Sequence, residues 1–414
     1  MARFATAALL VLACMAASAF AQTPAANSFV HTNGPQLVTP DGRPLLLKGI
    51  NLGNWLEPEG YMFLFEHGPQ SKTEIEALIE ELAGPEAATQ FWMDWRENYV
   101  TREDIEFIRR AGMNSVRIPV HYQFVTRWAD MRSLAFDDSF RLLDRVIAWC
   151  REAHIWVVLD LHCAPGGQTG TNIDDSDGYP WLFKSPSMQE ATIKIWKGIA
   201  EHYRNEPTVI GYDLLNEPIP HFPALQPLKS ELEPLYRRIS SAIREVDPKH
   251  VLILGGARWD TDFSVFSAPF DKNVMYTFHK YWMTPDQASV QEYVDFRARY
   301  NVPVWLGESG ENTDDWVRQF AALLEKNNIG WCFWPYKKME RSSALVSIVK
   351  PAHWDEIVAF AQLDRGTGNA EKRIGARPSA HDVDQALGEL LQNIRFAKCR
   401  VNEGYLKALG MRAP

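Results

Sequence analysis

The chain has 414 residues, 46% hydrophobic and 23% charged, with a formal net charge of −9. This is globular composition, which excludes collagen-like and long disordered chains. The acidic balance argues against nucleic acid or an anionic membrane as partner, since both reward clustered Lys and Arg. Fifteen Trp, within an aromatic share of 12%, exceed what core filling requires and point to a neutral ligand.

Residues 1–21 read as an export signal: Arg3 gives a positive start, Phe4 to Ala13 an apolar stretch, and Ala19-Phe20-Ala21 a small-x-small cleavage site. An apolar stretch of about ten residues is too short to span a bilayer, and no later one is long enough, so no transmembrane segment is expected. Cleavage after Ala21 leaves 22–414 as a single domain, exported to a periplasm or the exterior. Lipid anchoring through Cys14 is the alternative, poorly served by bulky Leu12 in Val11-Leu12-Ala13-Cys14. Cys150, Cys163, Cys332 and Cys399 are scattered without Cys-x-x-Cys spacing, so no disulfide follows from the pattern.

Pro40-Asp41-Gly42 within 37–46 signals a hairpin that caps a barrel floor. Eight short, near-continuous apolar runs then recur, at 45–52, 115–120, 155–162, 209–216, 250–255, 273–279, 302–307 and 330–334. Such runs suit parallel strands buried on both faces. Amphipathic stretches lie between them at 101–111 (ended by Gly112), 140–153, 188–203, 232–246 and 314–326. Two more helices are expected in the tail, near 353–362 and 380–397. The alternation indicates an α/β fold, a (β/α)8 TIM barrel with long βα loops. A doubly wound sheet would want Gly-x-Gly-x-x-Gly after its first strand, and none is present.

Chemistry in such barrels sits at the C-terminal strand ends. Those ends carry Arg117, His162, Asn216-Glu217, His279 with Tyr281, Glu308 and Trp334. Glu217 and Glu308 come from strands on roughly opposite sides of one mouth. Facing carboxyls suit retaining glycoside hydrolysis, one as nucleophile and one as acid/base. His162 and His279 do not form His-x-His or His-Glu-x-x-His, so neither a metal nor another cofactor is expected. The acidic run at 172–178 fails the register of a calcium loop, and no Gly-x-Ser-x-Gly elbow appears.

Asn216-Glu217-Pro218 and Leu306-Gly307-Glu308-Ser309, with Arg117, His162, His279, Tyr281 and Trp334 in matching contexts, resemble glycoside hydrolase family 5. The similarity runs from about residue 45 to 336. Gly49-Ile50-Asn51-Leu52-Gly53-Asn54-Trp55 and Asp160-Leu161-His162 before Ala164-Pro165-Gly166 resemble its exo-β-1,3-glucanase branch more than its cellulases. The resemblance implies a retaining β-glycosidase acting on a β-glucan or β-glucoside. Glu308 would be its nucleophile and Glu217 its acid/base. Asn216 would meet the sugar 2-OH, Arg117 and Tyr281 would orient Glu308, and His162, His279 and Trp334 would shape the subsite. An endo-β-1,4-glucanase and a non-catalytic carbohydrate-binding barrel are the alternatives. The long loop 166–183 departs from the branch and is expected to wall one end of the groove, or to contact the leaving side. Glu57, Glu59, Asp174 and Asp175 are further candidate partners for sugar hydroxyls.

Overall fold

The computed structural model describes residues 28–125, 137–171, 174–176 and 178–412. The residues expected to form an export signal, Cys14 among them, lie outside the described residues. Eight strands, β1 (Lys48–Asn51), β2 (Ser115–His121), β3 (Trp156–Cys163), β4 (Val209–Asp213), β5 (Val251–Gly255), β6 (Val274–His279), β7 (Val304–Glu308) and β8 (Gly330–Phe333), form the sheet. They pair in parallel in chain order, and β8 returns to β1 to close the (β/α)8 barrel. Almost every strand residue is buried, as continuous apolar runs covered on both faces require.

The expected runs match these strands to within a few residues, with one informative departure. The run 209–216 is in regular pairing only to Asp213. Beyond it Leu214 N–H donates to Ile253 O and Asn216 N–H to Leu161 O, so the chain bonds first to one neighbouring strand and then to the other. Glu217 follows with φ at 48°. This irregular end lifts Asn216 and Glu217 clear of the sheet.

The expected helices appear as Arg102–Ala111, Asp137–Ala153, Pro186–Tyr203, Lys229–Arg244, Asp314–Lys326, Trp354–Ala361 and Ala380–Asn393. Gly112 ends the first with φ at 106°, a conformation that favours glycine. Three further long helices among the described residues, Lys72–Ala83, Pro85–Asn98 and Ala288–Tyr300, were not expected. A small sheet of Lys337–Met339, Val346–Ile348 and Arg400–Val401 ties the tail to the chain just after β8.

At the opposite end, antiparallel strands His31–Asn33, Gln36–Val38 and Pro44–Leu45 form the floor cap. Val30 and Leu37 pack into an apolar cluster of barrel residues that includes Val158, Ile210, Ile253, Met275 and Cys332. Each such aliphatic chain contributes about 1.5–3 kcal/mol on full burial. The lower barrel is therefore filled, and polar groups are left to the upper half.

Candidate active site

Arg117 on β2 is fully buried at the centre of the upper half. Its guanidinium donates to Asp213 at 2.8 Å, Asn51 Oδ1 at 3.1 Å and Asn216 Oδ1 at 3.0 Å, and lies 3.0 Å from Asp160. It also donates to Glu308 Oε1 at 2.5 Å. Burial works against the cation, but Asp160, Asp213 and Glu308 outweigh it and push the Arg117 pKa up. The two aspartates, themselves buried, are pushed up to about 7 despite Arg117. Asn51 Nδ2 donates to the carbonyls of Gly307, Cys332 and Phe333, so one side chain of β1 holds the ends of β7 and β8. Its position in the Gly49–Trp55 motif was visible in sequence, but its role was not.

Above Arg117 stand the two glutamates. Glu308 Oε2 accepts from the Tyr281 hydroxyl at 3.1 Å. Glu217 Oε1 faces His279 Nδ1 at 2.9 Å, and its side chain keeps 27% exposure toward the cavity. One atom each of Glu217, His279 and Glu308 lie within 4.8 Å of one another. That closeness fits the carboxyl separation of about 5–5.5 Å in retaining enzymes and not the 6.5–9.5 Å of inverting ones. Burial pushes Glu217 up to about 7, with His162 and Arg117 pulling the other way. Burial also lowers His162 to about 4 and His279 to about 3, so both imidazoles are neutral near pH 7. His162 Nδ1 lies 2.7 Å from Asp160, and Asn216 Nδ2 donates to His162 Nε2 at 3.3 Å.

Trp334 lines the mouth, stacked on His162 with centroids 5.5 Å apart, and its indole N–H donates to the Tyr61 hydroxyl at 2.7 Å. Gly53 makes this possible, because a Cβ there would lie 2.4 Å from the indole. The cavity so enclosed measures about 690 Å³. Seven of the eight expected site residues line it, while Arg117 stands beneath Glu308 and Asn216.

The loop 166–183 supplies one wall through Gln168, Thr169, Thr171 and Asp174. Three of the four extra acidic candidates are not available to a sugar. Asp174 accepts from the backbone N–H groups of Gln168, Thr169 and Ser176, which saturates it as the organiser of its own loop. Asp175 is held by the Thr73 hydroxyl at 2.6 Å and faces His121 Nε2 at 3.0 Å. Glu57 is fully buried and does not reach the cavity. Glu59 does line it, and burial, with Glu308 and Glu311 nearby, pushes its pKa well up. Sequence reasoning missed Tyr61 and Glu311 from the β1 and β7 loops, and His221, Trp259 and Trp282 from those after β4, β5 and β6. Trp282 is 73% exposed at the rim. These loops have no periodicity to read.

Among the described residues, the site trio Glu217, His279 and Glu308 has the donor spacing to hold a cation, as has the buried trio Glu57, His121 and Cys163. In the first, His279 and Tyr281 already engage carboxylate oxygens. In the second, Gln123 N–H donates to His121 Nδ1, which leaves the ring proton on Nε2 toward Asp175. Among the described residues, Cys150, Cys163, Cys332 and Cys399 form no disulfide with one another.

Known proteins resemble this chain over most of the barrel. It is 28% identical to a beta-xylosidase of Phanerodontia chrysosporium over 347 residues, 75% of this chain and 71% of that one. It is 24% identical to endoglucanase C of Acetivibrio thermocellus, over 59% of this chain and 86% of the relative. To a probable glucan 1,3-beta-glucosidase A of Aspergillus fumigatus it is 29% identical, over 52% of this chain and 51% of the relative. Residues 75–340 match the family model described as cellulase (glycosyl hydrolase family 5). With the closed barrel and this family match together, the chain belongs to glycoside hydrolase family 5.

Proposed function

We propose that this protein is an exported, retaining β-glycosidase that releases sugar from the end of a β-glucan or from β-glucosides by double displacement. The observation that carries the reading is the pair Glu217 and Glu308, within 4.8 Å across one cavity and in different surroundings. Arg117 and Tyr281 each donate to one oxygen of Glu308, which orients a carboxylate for attack. Glu217, desolvated in the cavity wall and raised to about 7, holds a proton at neutral and mildly acidic pH.

Glu308 attacks the anomeric carbon as its bond to the leaving oxygen breaks, and the Glu217 proton passes to that oxygen. Water then gives its proton to Glu217 and its oxygen to the anomeric carbon, and Glu308 is released. Asn216, fixed by Arg117 and His162, meets the sugar 2-OH, and Trp334 offers its face to the ring. His162 and His279 shape the same subsite, and no cofactor enters these steps. Exo action is supported by the wall that loop 166–183 sets against the cavity, and the β-1,3 linkage by the relative from Aspergillus fumigatus.

The test is hydrolysis of laminari-, cello- and gentio-oligosaccharides by wild type and Glu308→Gln, with products resolved over time and with chelator present. Glucose released singly from one linkage, absent in the variant and indifferent to chelator, is the expected result. Early appearance of mid-length oligosaccharides would make the enzyme endo-acting, and no turnover of any β-glycoside would make it a binding protein.

A further inference from the structure

The cavity has two unlike walls. Loops after β7, β8 and β1, neighbours in the barrel, bring Glu311, Trp334, Glu59 and Tyr61 to it. Loops after β4, β5 and β6, neighbours on the other arc, bring His221, Trp259, Thr261 and Trp282. The first wall offers polar atoms to sugar hydroxyls, among them Oε1 of buried Glu59, which has no hydrogen-bond partner. The second wall is aromatic. Of its four residues Thr261 alone has a hydroxyl, and that group already donates to Arg258 O at 2.7 Å.

Glu217 decides which wall meets which half of the substrate. The leaving oxygen takes its proton from Glu217, so the leaving group lies on the side of the β4 loop. The β5 loop is joined to it there: Arg258 N–H donates to Ile219 O at 2.6 Å, and Asp260, turned inward, accepts the Glu217 N–H at 3.0 Å. Arg258, Trp259 and Asp260 all take left-handed backbone, with φ of 56°, 56° and 58°, as does Trp282 at 55°. Bulky residues adopt it only where surrounding contacts hold them, commonly at ligand clamps. The turn sets Trp259 at 87° to His221 with centroids 4.6 Å apart, and Phe222 backs it at 82°. Trp282, 73% exposed, carries the aromatic lining to the rim.

We infer that the corner of His221 and Trp259 is a leaving-group subsite for an aromatic alcohol, so that the preferred substrates are β-glucosides whose leaving group carries an aromatic ring. The inference rests on the reading of Glu217 as the acid/base. An aromatic guest suits perpendicular rings, since it stacks on one face and sets its edge to the next. A second sugar suits them poorly. Its hydroxyls radiate from the ring edge, and an aromatic wall at right angles leaves some of them without partners. The same corner serves the second half-reaction, where an alcohol can replace water. Its oxygen bonds to the anomeric carbon, its proton passes to Glu217, and Glu308 is released.

The experiment compares kcat/KM for ethyl β-glucoside, 2-phenylethyl β-glucoside and laminaribiose in wild type and in Trp259→Ala. The two leaving alcohols have similar acidity, so a difference between them reports contact with the ring. Wild type is expected to favour the phenylethyl glucoside over the ethyl by about tenfold. Trp259→Ala should remove that preference and cost laminaribiose much less. Equal rates on the two glucosides in wild type overturn the inference while leaving the hydrolase reading in place. So does a laminaribiose loss as large as the phenylethyl loss, which would make the corner a sugar subsite. Turnover of none of the three by wild type removes the β-glucosidase reading, and the inference falls with it. Should Trp259→Ala not fold, wild type alone decides. With 2,4-dinitrophenyl β-glucoside as donor and equal concentrations of 2-phenylethanol and ethanol, phenylethyl glucoside should exceed ethyl glucoside by about tenfold among the products. Equal amounts of the two overturn the inference.

Discussion

Glu217 and Glu308 are the same residue type at the same level of the barrel, and their neighbours separate them. Glu308 receives a cation and a phenol, whereas Glu217 receives a neutral imidazole and no cation of its own. Its pKa of about 7 has a direct kinetic reading: the acid form exists below that value and is lost as pH rises through it. The alkaline limb of kcat/KM on natural glycosides should therefore fall near pH 7, and a pH series on one disaccharide checks it. Glu308→Ala should abolish turnover, with azide restoring it on activated substrates and giving the product of inverted configuration, seen by NMR. Arg117→Met removes the cation shared by three buried carboxyl groups. A stability loss of about 3–5 kcal/mol, read from denaturant melts, should accompany the loss of activity.

At the scale of elements, loops position the chemistry and strands support it. Loop 166–183 is folded on Asp174 and fastened to the start of helix Lys72–Ala83 by Asp175. Asp175→Ala frees one wall of the cavity without touching either glutamate, so KM should rise several-fold while kcat changes little. Helix Asp314–Lys326 gives a contrasting case. The Thr313 hydroxyl accepts Trp316 N–H at its start, and Thr313→Ala should cost about 1 kcal/mol of stability while leaving kcat alone. The same scale shows what was readable. Helix Lys72–Ala83 had its signals in plain view: Ser71-Lys72-Thr73-Glu74 forms a capping box, and Ile75, Leu78, Ile79 and Leu82 make its buried face. It was passed over because the barrel pattern asks for one helix between consecutive strands, and 101–111 already fills that place between the runs 45–52 and 115–120. The inward turn at Arg258–Asp260 had no such signal, since left-handed backbone in Arg, Trp and Asp is imposed by tertiary contacts and not by propensity.

Across the whole molecule, the legible features were those with period or position. Buried parallel strands must be apolar on both faces, so eight runs announced the barrel, and residues just past each run announced the mouth. Glu57, Asp174 and Asp175 looked like ligands because they were acidic and in loops. Whether a loop carboxylate meets a hydroxyl of the substrate or an amide of its own backbone is decided by folding in three dimensions. The four described cysteines, none bonded to another in a disulfide, lead to a further expectation at this scale: reducing agent should leave both Tm and activity unchanged, as a melting scan with and without dithiothreitol would show.

The bonds of Arg117 reach Asn51 near the start of the barrel, Asp160 and Asp213 in its middle, and Glu308 near its end. Such contacts close very long stretches of chain, so they form late, when the entropy of bringing distant segments together has already been met. Before β7 arrives, the guanidinium has its two aspartates but not the carboxylate of Glu308. The bond that orients the nucleophile therefore requires β7 to be docked beside β6 in the closed sheet. A chain that has not closed its ring has no oriented Glu308, and activity appears only with the completed barrel.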